Sequence, residues 1–197
     1  VLEEFKEKII GREFEIQPNI EEAIDCFLNE VPTSEYLKEL RDFIMLCFNC
    51  TGYNNLRVLR QCLYDFKEVL DKLSGKLAEA VNKENIFLKN VLASFIAVYA
   101  EYSNKDNREL ICNWRLMYQI SLSQDKDENR AKMQEIIDKY KPLNKELIYS
   151  IFHPDIVESI LRHITKGEPF ANFLINTIQN EHQELKPWEK LPGFFDM

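Results

Sequence analysis

The chain has 197 residues, 45% of them hydrophobic, with 13 Phe and 8 Tyr but 5 Gly. That is enough apolar matter for one medium or two small packed domains, and it excludes a disordered chain, a glycine-loop nucleotide fold and a tightly turned all-β architecture. A net charge of −8 argues against wholesale binding to nucleic acid or to an anionic membrane.

Val1–Ile10 carries apolar residues at 1, 2, 5, 9 and 10 and reads as a short helix that Gly11 breaks. Arg12-Glu13-Phe14-Glu15-Ile16 alternates as a short half-buried strand would, and a lone strand implies a partner outside this sequence. A start at Val1 rather than Met fits a piece of a larger protein or the removal of a tag. From Pro18-Asn19 to about Glu30, Ile20, Ala23, Ile24, Phe27 and Leu28 form one apolar helix face. Ser34 then caps a helix to about Phe48, with Leu37, Leu40, Phe43, Ile44 and Cys47 on one side.

Thr51-Gly52-Tyr53-Asn54-Asn55 reads as a turn, and Asn54 or Asn55 caps the helix that follows, expected over Asn54 to about Leu73. Leu56, Leu59, Leu63, Phe66, Leu70 and Leu73 give it an apolar seam, opposite a mainly basic stripe of Arg57, Arg60, Tyr64 and Lys67. The plain reading of that stripe is a solvated face. Arg57, however, stands in or near the first turn, where the helix dipole opposes a cation by about 0.3 kcal/mol or more. An anion held at the helix start, such as a nucleotide phosphate, would reverse that sign.

Ser74-Gly75 is compatible with a stop, and the apolar spacing also allows the helix to resume through Leu77 and Val81. Lys83–Tyr102 is a second strong helix, and its run Val91–Ala100 is apolar nearly all round, as in a central helix. Helices are expected over Arg108–Leu122, with Trp114, Met117 and Tyr118 as bulky contacts, and over Glu128–Tyr140, ending at Pro142. Lys145–Phe152 is ambiguous between helix and strand. Asp155–Thr165 is expected to be a helix capped by Gly167, and Pro169 opens one more to about Glu184. The aromatic tail from Pro187 to Phe195 is irregular and of a kind that docks on its own domain or the next. The whole reads as an all-α multi-helix bundle, with a short N-terminal strand as its one permitted exception. Its two expected parts are residues 1–82, carrying the Asn-Leu-Arg helix, and residues 83–197.

The five cysteines, Cys26, Cys47, Cys50, Cys62 and Cys112, are odd in number and fall mostly at apolar helical positions. They read as reduced core residues of a cytoplasmic protein. Cys47-x-x-Cys50 has neither a second ligand pair for zinc nor the preceding strand of a thioredoxin-like motif. Neither Walker A nor G-x-G-x-x-G is present, nor are H-E-x-x-H and G-x-S-x-G. His153, His163 and His182 read as structural or surface histidines, and Asp125-Lys126-Asp127-Glu128 as solvated charge. No apolar run spans a bilayer and no signal peptide is read. The chain alone is not expected to be a complete enzyme, and it binds no metal or nucleic acid in this reading.

The segment Tyr53-Asn54-Asn55-Leu56-Arg57-Val58-Leu59-Arg60 resembles the sensor-2 arginine region of P-loop NTPases of the AAA+ and STAND type, most closely the KAP group of bacterial NTPases. Glu7–Ile16 looks like the segment leaving the NTPase core, Ile160–Glu168 like the helix and glycine turn after the lid, and Trp188-Glu189-Lys190-Leu191 like the tryptophan-leucine segment near the end of such regions. The resemblance implies a helical lid and regulatory region. Its missing partner is the NTPase core, which would bind ATP. By position Arg57 would sense the terminal phosphate, Arg60 would assist or face water, and Asn54 and Asn55 would shape the turn. The competing reading is a helical protein–protein interaction module or effector domain with no nucleotide role. A third is a Cys–His hydrolase.

Overall fold

A computed structural model describes residues 19–30, 35–77, 85–121, 128–147 and 150–184. The expected strand at residues 12–16 and the aromatic tail lie outside them. Within them the chain is an all-α multi-helix bundle with no strand. We number its helices α1 (Ile20–Glu30), α2 (Glu35–Glu39), α3 (Arg41–Thr51), α4 (Leu56–Leu77), α5 (Asn85–Ser103), α6 (Arg108–Cys112), α7 (Trp114–Ser121), α8 (Glu128–Lys139), α9 (Pro154–Lys166) and α10 (Phe170–Glu184). A 3-10 turn at Lys141–Lys145 follows α8, with Pro142 in its first turn.

The central element is α5. Every residue from Val91 to Glu101 is buried, so it has no solvent face, as the apolar run requires. It packs against α3, α4, α6 and α9. Beside it α4 presents Leu59, Cys62, Leu63, Phe66, Val69 and Leu73, all at most 2% exposed. That spacing is the three-four seam expected of the leucines, and burying each such side chain contributes about 1.5–3 kcal/mol. Gly75 does not stop α4, which continues to Leu77. Buried side chains from before residue 78 and after residue 84 belong to one contiguous core.

Two expected helices are each divided in the structure. The stretch read as Ser34–Phe48 breaks at Leu40, and the stretch read as Arg108–Leu122 breaks at Asn113. At Asn113 the side-chain Nδ2 donates to the Glu109 carbonyl at 3.0 Å, and the backbone N–H is shared between Glu109 and Leu110 carbonyls at 3.2 Å. At the break the side-chain amide thus shares the helix's own acceptor with the backbone N–H. Of the ambiguous stretch 145–152, Lys145 ends the 3-10 turn and the other described residues are neither helix nor strand. Around Ser150–Phe152 it is a turn, closed by the Phe152 N–H donating to Ser150 Oγ at 3.3 Å.

Ion pairs tie neighbouring helices at the surface. Arg41 pairs with Asp25 (α3 to α1), and Arg115 with Asp155 and Glu158 (α7 to α9). Lys89 pairs with Glu146 at 2.7 Å and lies 4.5 Å from the Phe43 ring centre. Gly167 closes α9 at φ 68°, the left-handed cap the sequence predicts. Among the described residues no helix is long and apolar enough to cross a membrane.

Candidate functional site

The turn before α4 is built by its own side chains. Gly52 takes φ 61° at the end of α3, a conformation only glycine adopts without cost. Thr51, 3% exposed, donates its hydroxyl to the Phe48 carbonyl at 2.7 Å and accepts the Tyr53 N–H at 3.0 Å. The Tyr53 hydroxyl donates to the Ser103 carbonyl at 3.3 Å, anchoring the turn to the end of α5, and accepts from Asn55 Nδ2 at 3.4 Å. Asn55 is the cap: its Oδ1 accepts the Val58 N–H at 3.3 Å. Such a cap contributes about 1 kcal/mol. Asn54 is exposed, and the helix starts at Leu56, two residues later than the spacing alone predicts.

Arg57 is therefore the second residue of α4 and is exposed, with no partner among the described residues. Leu56 and Leu59 on either side of it pack into the core. Arg60, one turn on, is engaged: its Nη2 meets Glu30 Oε2 at 2.9 Å and its guanidinium lies 5.3 Å from the Tyr64 ring centre. Lys67 pairs with Asp71. The basic stripe is thus neutralised along its length and carries an uncompensated charge at the Arg57 end. Below the turn is a cavity lined by Phe48, Tyr53, Asn55, Leu59, Cys62 and Tyr99, with room for about one water. A nucleotide does not fit there, and Arg57 is not among its lining residues.

The thiols are not poised for nucleophilic work. Burial pushes Cys47 and Cys62 well above the ordinary thiol range and raises Cys50 and Cys112. A hydrogen bond to Glu30, followed by that carboxylate's charge, raises Cys26. A nucleophilic cysteine needs the opposite shift. The core reading holds for Cys47 and Cys62 and fails for Cys26 and Cys112, which are exposed. Cys26 lies two residues beyond Ile24, off the buried Ile24–Leu28 face of α1. No group of three or more His, Cys, Asp and Glu side chains among the described residues can hold a metal ion.

His163 lies at a boundary, as expected. Its Nδ1 donates to the Glu168 carbonyl at 3.1 Å, and its Nε2 is 3.8 Å from Asp65 Oδ2. Asp65 also accepts from Tyr99 and Gln61. His153 is the residue before the first turn of α9, and its carbonyl accepts the Val157 N–H at 2.9 Å. Burial lowers its pKa, against the Asp155 charge and with that of Arg115. A histidine held neutral in the fold but protonated in the unfolded chain stabilises fully above the unfolded value of about 6.5. Stability is then lost as pH falls through that value toward the lower folded one. On acidification from pH 7.5 to 5.5, His153→Gln is expected to lose less stability in urea than the parent protein. An equal loss would remove the assignment.

Sequence reading does not find Glu101, the lone acid closing the apolar run of α5. It is 1% exposed and held by Tyr140 (2.8 Å), Lys139 (3.3 Å to each oxygen) and Asn107. The pattern that could have revealed it is an acid placed after ten apolar-facing positions with no polar face to occupy. No protein family matches the chain, and no curated protein or solved structure is significantly similar to it.

Proposed function

We propose that this bundle is the lid and regulatory region of a larger P-loop ATPase, in which Arg57 meets the terminal phosphate of ATP bound to a separate NTPase core. The observation that carries the reading is the state of Arg57. Arg41, Arg60, Arg115 and Arg162 each hold a carboxylate, and Arg108 holds the Tyr102 carbonyl. Arg57 holds none of the described residues, although it sits at the positive end of a 22-residue helix where a cation is disfavoured. An arriving phosphate changes that balance, because it meets both the guanidinium and the first free amides of α4. Arg130, also exposed and without a described partner, lies in a shorter helix away from this turn.

In this reading Asn55 fixes the start of α4 and Arg60 anchors it to α1 through Glu30. Arg57 grips the phosphate while the core is closed and releases it after hydrolysis, which biases a hinge between the two. The interaction-module alternative calls for an exposed apolar groove. Among the described residues, Leu116 is the large hydrophobic that is exposed. The test is ATP turnover by the longest native chain. Arg57→Ala is expected to lower turnover by about tenfold or more, a change of about 1.4 kcal/mol, with its melting transition unmoved because the side chain touches no core. Unchanged turnover rejects the proposal.

A further inference from the structure

The second polar centre of the molecule lies away from Arg57 and does not depend on the ATPase reading. Glu101 stands in the last turn of α5, and its three partners come from two places. Asn107 belongs to the turn directly after α5, so it accompanies Glu101 in any motion. Lys139 is the last residue of α8 and Tyr140 the next, leading into the 3-10 turn, thirty-eight and thirty-nine residues along the chain. Among the described residues, Lys139 and Tyr140 tie this end of α8 to the central helix through the Glu101 carboxylate. The apolar anchorage of α8 is small. Met133 and Ile136 are its buried side chains and Ile137 is partly buried, and its main packing partners are α7 and the 3-10 turn after it.

We propose that α8 is a detachable strap, latched to the body of the bundle by Tyr140 and Lys139 on the buried Glu101 carboxylate, and that it opens as a unit while the rest stays folded. Two physical points support it. Elements with few buried apolar contacts are the ones that open below the global unfolding free energy. The seam is also polar. Removing one partner from a buried charge while the site stays closed is strongly destabilising, because it strands the charge. Lifting the whole strap does not strand it. Water reaches Glu101 as Lys139 and Tyr140 leave, and Asn107 stays in place. The latch therefore favours two states, fully engaged or fully hydrated, over a half-open one. Burial, and then the Glu101 charge, push the Tyr140 phenol far above its ordinary pKa, so it remains a donor in the closed state. Opening would uncover the carboxylate and the phenol, and the Tyr140 ring would leave its edge contact with Phe152, now 5.2 Å between centres.

Native-state hydrogen exchange on the full chain tests this. In the parent protein, α8 amides should exchange through an opening with a smaller urea dependence than α5 amides. Tyr140→Phe keeps the ring and removes the donor, and a hydrogen bond to a charged group corresponds to about a ten- to hundredfold change in the opening equilibrium. We expect α8 exchange to accelerate by that factor; α5 amides that exchange only on global unfolding also lose the latch and accelerate with it, while α8 keeps its smaller opening free energy and smaller urea dependence. No acceleration in α8, or a single urea slope and opening free energy shared by α5 and α8, overturns the proposal. If the variant does not fold, the parent's urea dependence decides alone: one common slope for α5 and α8 means there is no separable strap.

Discussion

Phe95→Ala is expected to lower the free energy of unfolding by about 3–5 kcal/mol. Phe95 is fully buried, and its ring is where four helices meet. It packs edge-on to Phe66 of α4 at 5.4 Å and to Phe170 of α10 at 5.0 Å, stacks on Tyr99 of its own helix at 5.5 Å, and lies 5.9 Å from the His163 ring of α9. Four separate elements contribute to the walls of the hole that truncation leaves, so no single side chain can collapse to fill it. The cost therefore belongs at the upper part of the range for large-to-small changes. Urea unfolding followed by far-UV circular dichroism reads it. Phe95→Leu, which keeps most of the volume, should lose less. A loss below about 1 kcal/mol for Phe95→Ala would mean that the junction repacks freely, against the density of contacts at this ring.

Trp114→Ala is expected to cost a similar amount, about 3–5 kcal/mol, but for a different mixture of reasons. The indole is 2% exposed, packs on the Phe152 ring at 5.0 Å, and donates its Nε1–H to the Phe152 carbonyl at 2.8 Å. It fastens the start of α7 to the turn that leads into α9, across 38 residues. Trp114→Phe separates the two contributions: it keeps an aromatic ring and strands the carbonyl, at about 1–3 kcal/mol. The ranking Ala below Phe below parent, measured by circular dichroism because the indole itself is lost, is the expected outcome. Equal losses for the two variants would mean that the hydrogen bond dominates and the ring packing adds little.

Both side chains were visible in the sequence as bulky helix residues, and their partners were not. This division runs through the whole molecule. Periodicity reports which face of a helix is apolar, so the seam of α4 and the all-round burial of α5 were legible. Gly167, whose φ is positive, was legible because the chain offers few residues able to end a helix that way. The breaks at Leu40 and Asn113 were not. Asn113 looks like an ordinary helix residue until its amide is seen on the Glu109 carbonyl. Cys26 and Cys112 are exposed although the cysteines fall mostly at apolar helical positions, because the apolar pattern does not fix the limits of the buried face: Cys26 lies off the Ile24–Leu28 side of α1. At the candidate site, the exposure of Arg57 and the capping role of the Asn54-Asn55 pair could be read locally. That Arg60 is occupied while Arg57 is not depends on Glu30, thirty residues away in sequence. The Glu101 latch has the same character: pairings across nearly forty residues leave no local trace.

The turn before α4 has a consequence for how relatives of this chain would be recognised. Thr51 needs its hydroxyl in two hydrogen bonds, Gly52 its positive φ, Tyr53 its phenol on Ser103, and Asn55 its carbonyl on Val58, whereas Asn54 is exposed. Four of five consecutive positions are thus committed to shaping one corner before any ligand is considered. A protein sharing this corner would carry the pattern Thr-Gly-Tyr-x-Asn whether or not it kept an arginine at the second helical position. That five-residue pattern belongs to the corner alone, and the residue two places after it, Arg57 here, is free to vary without disturbing it.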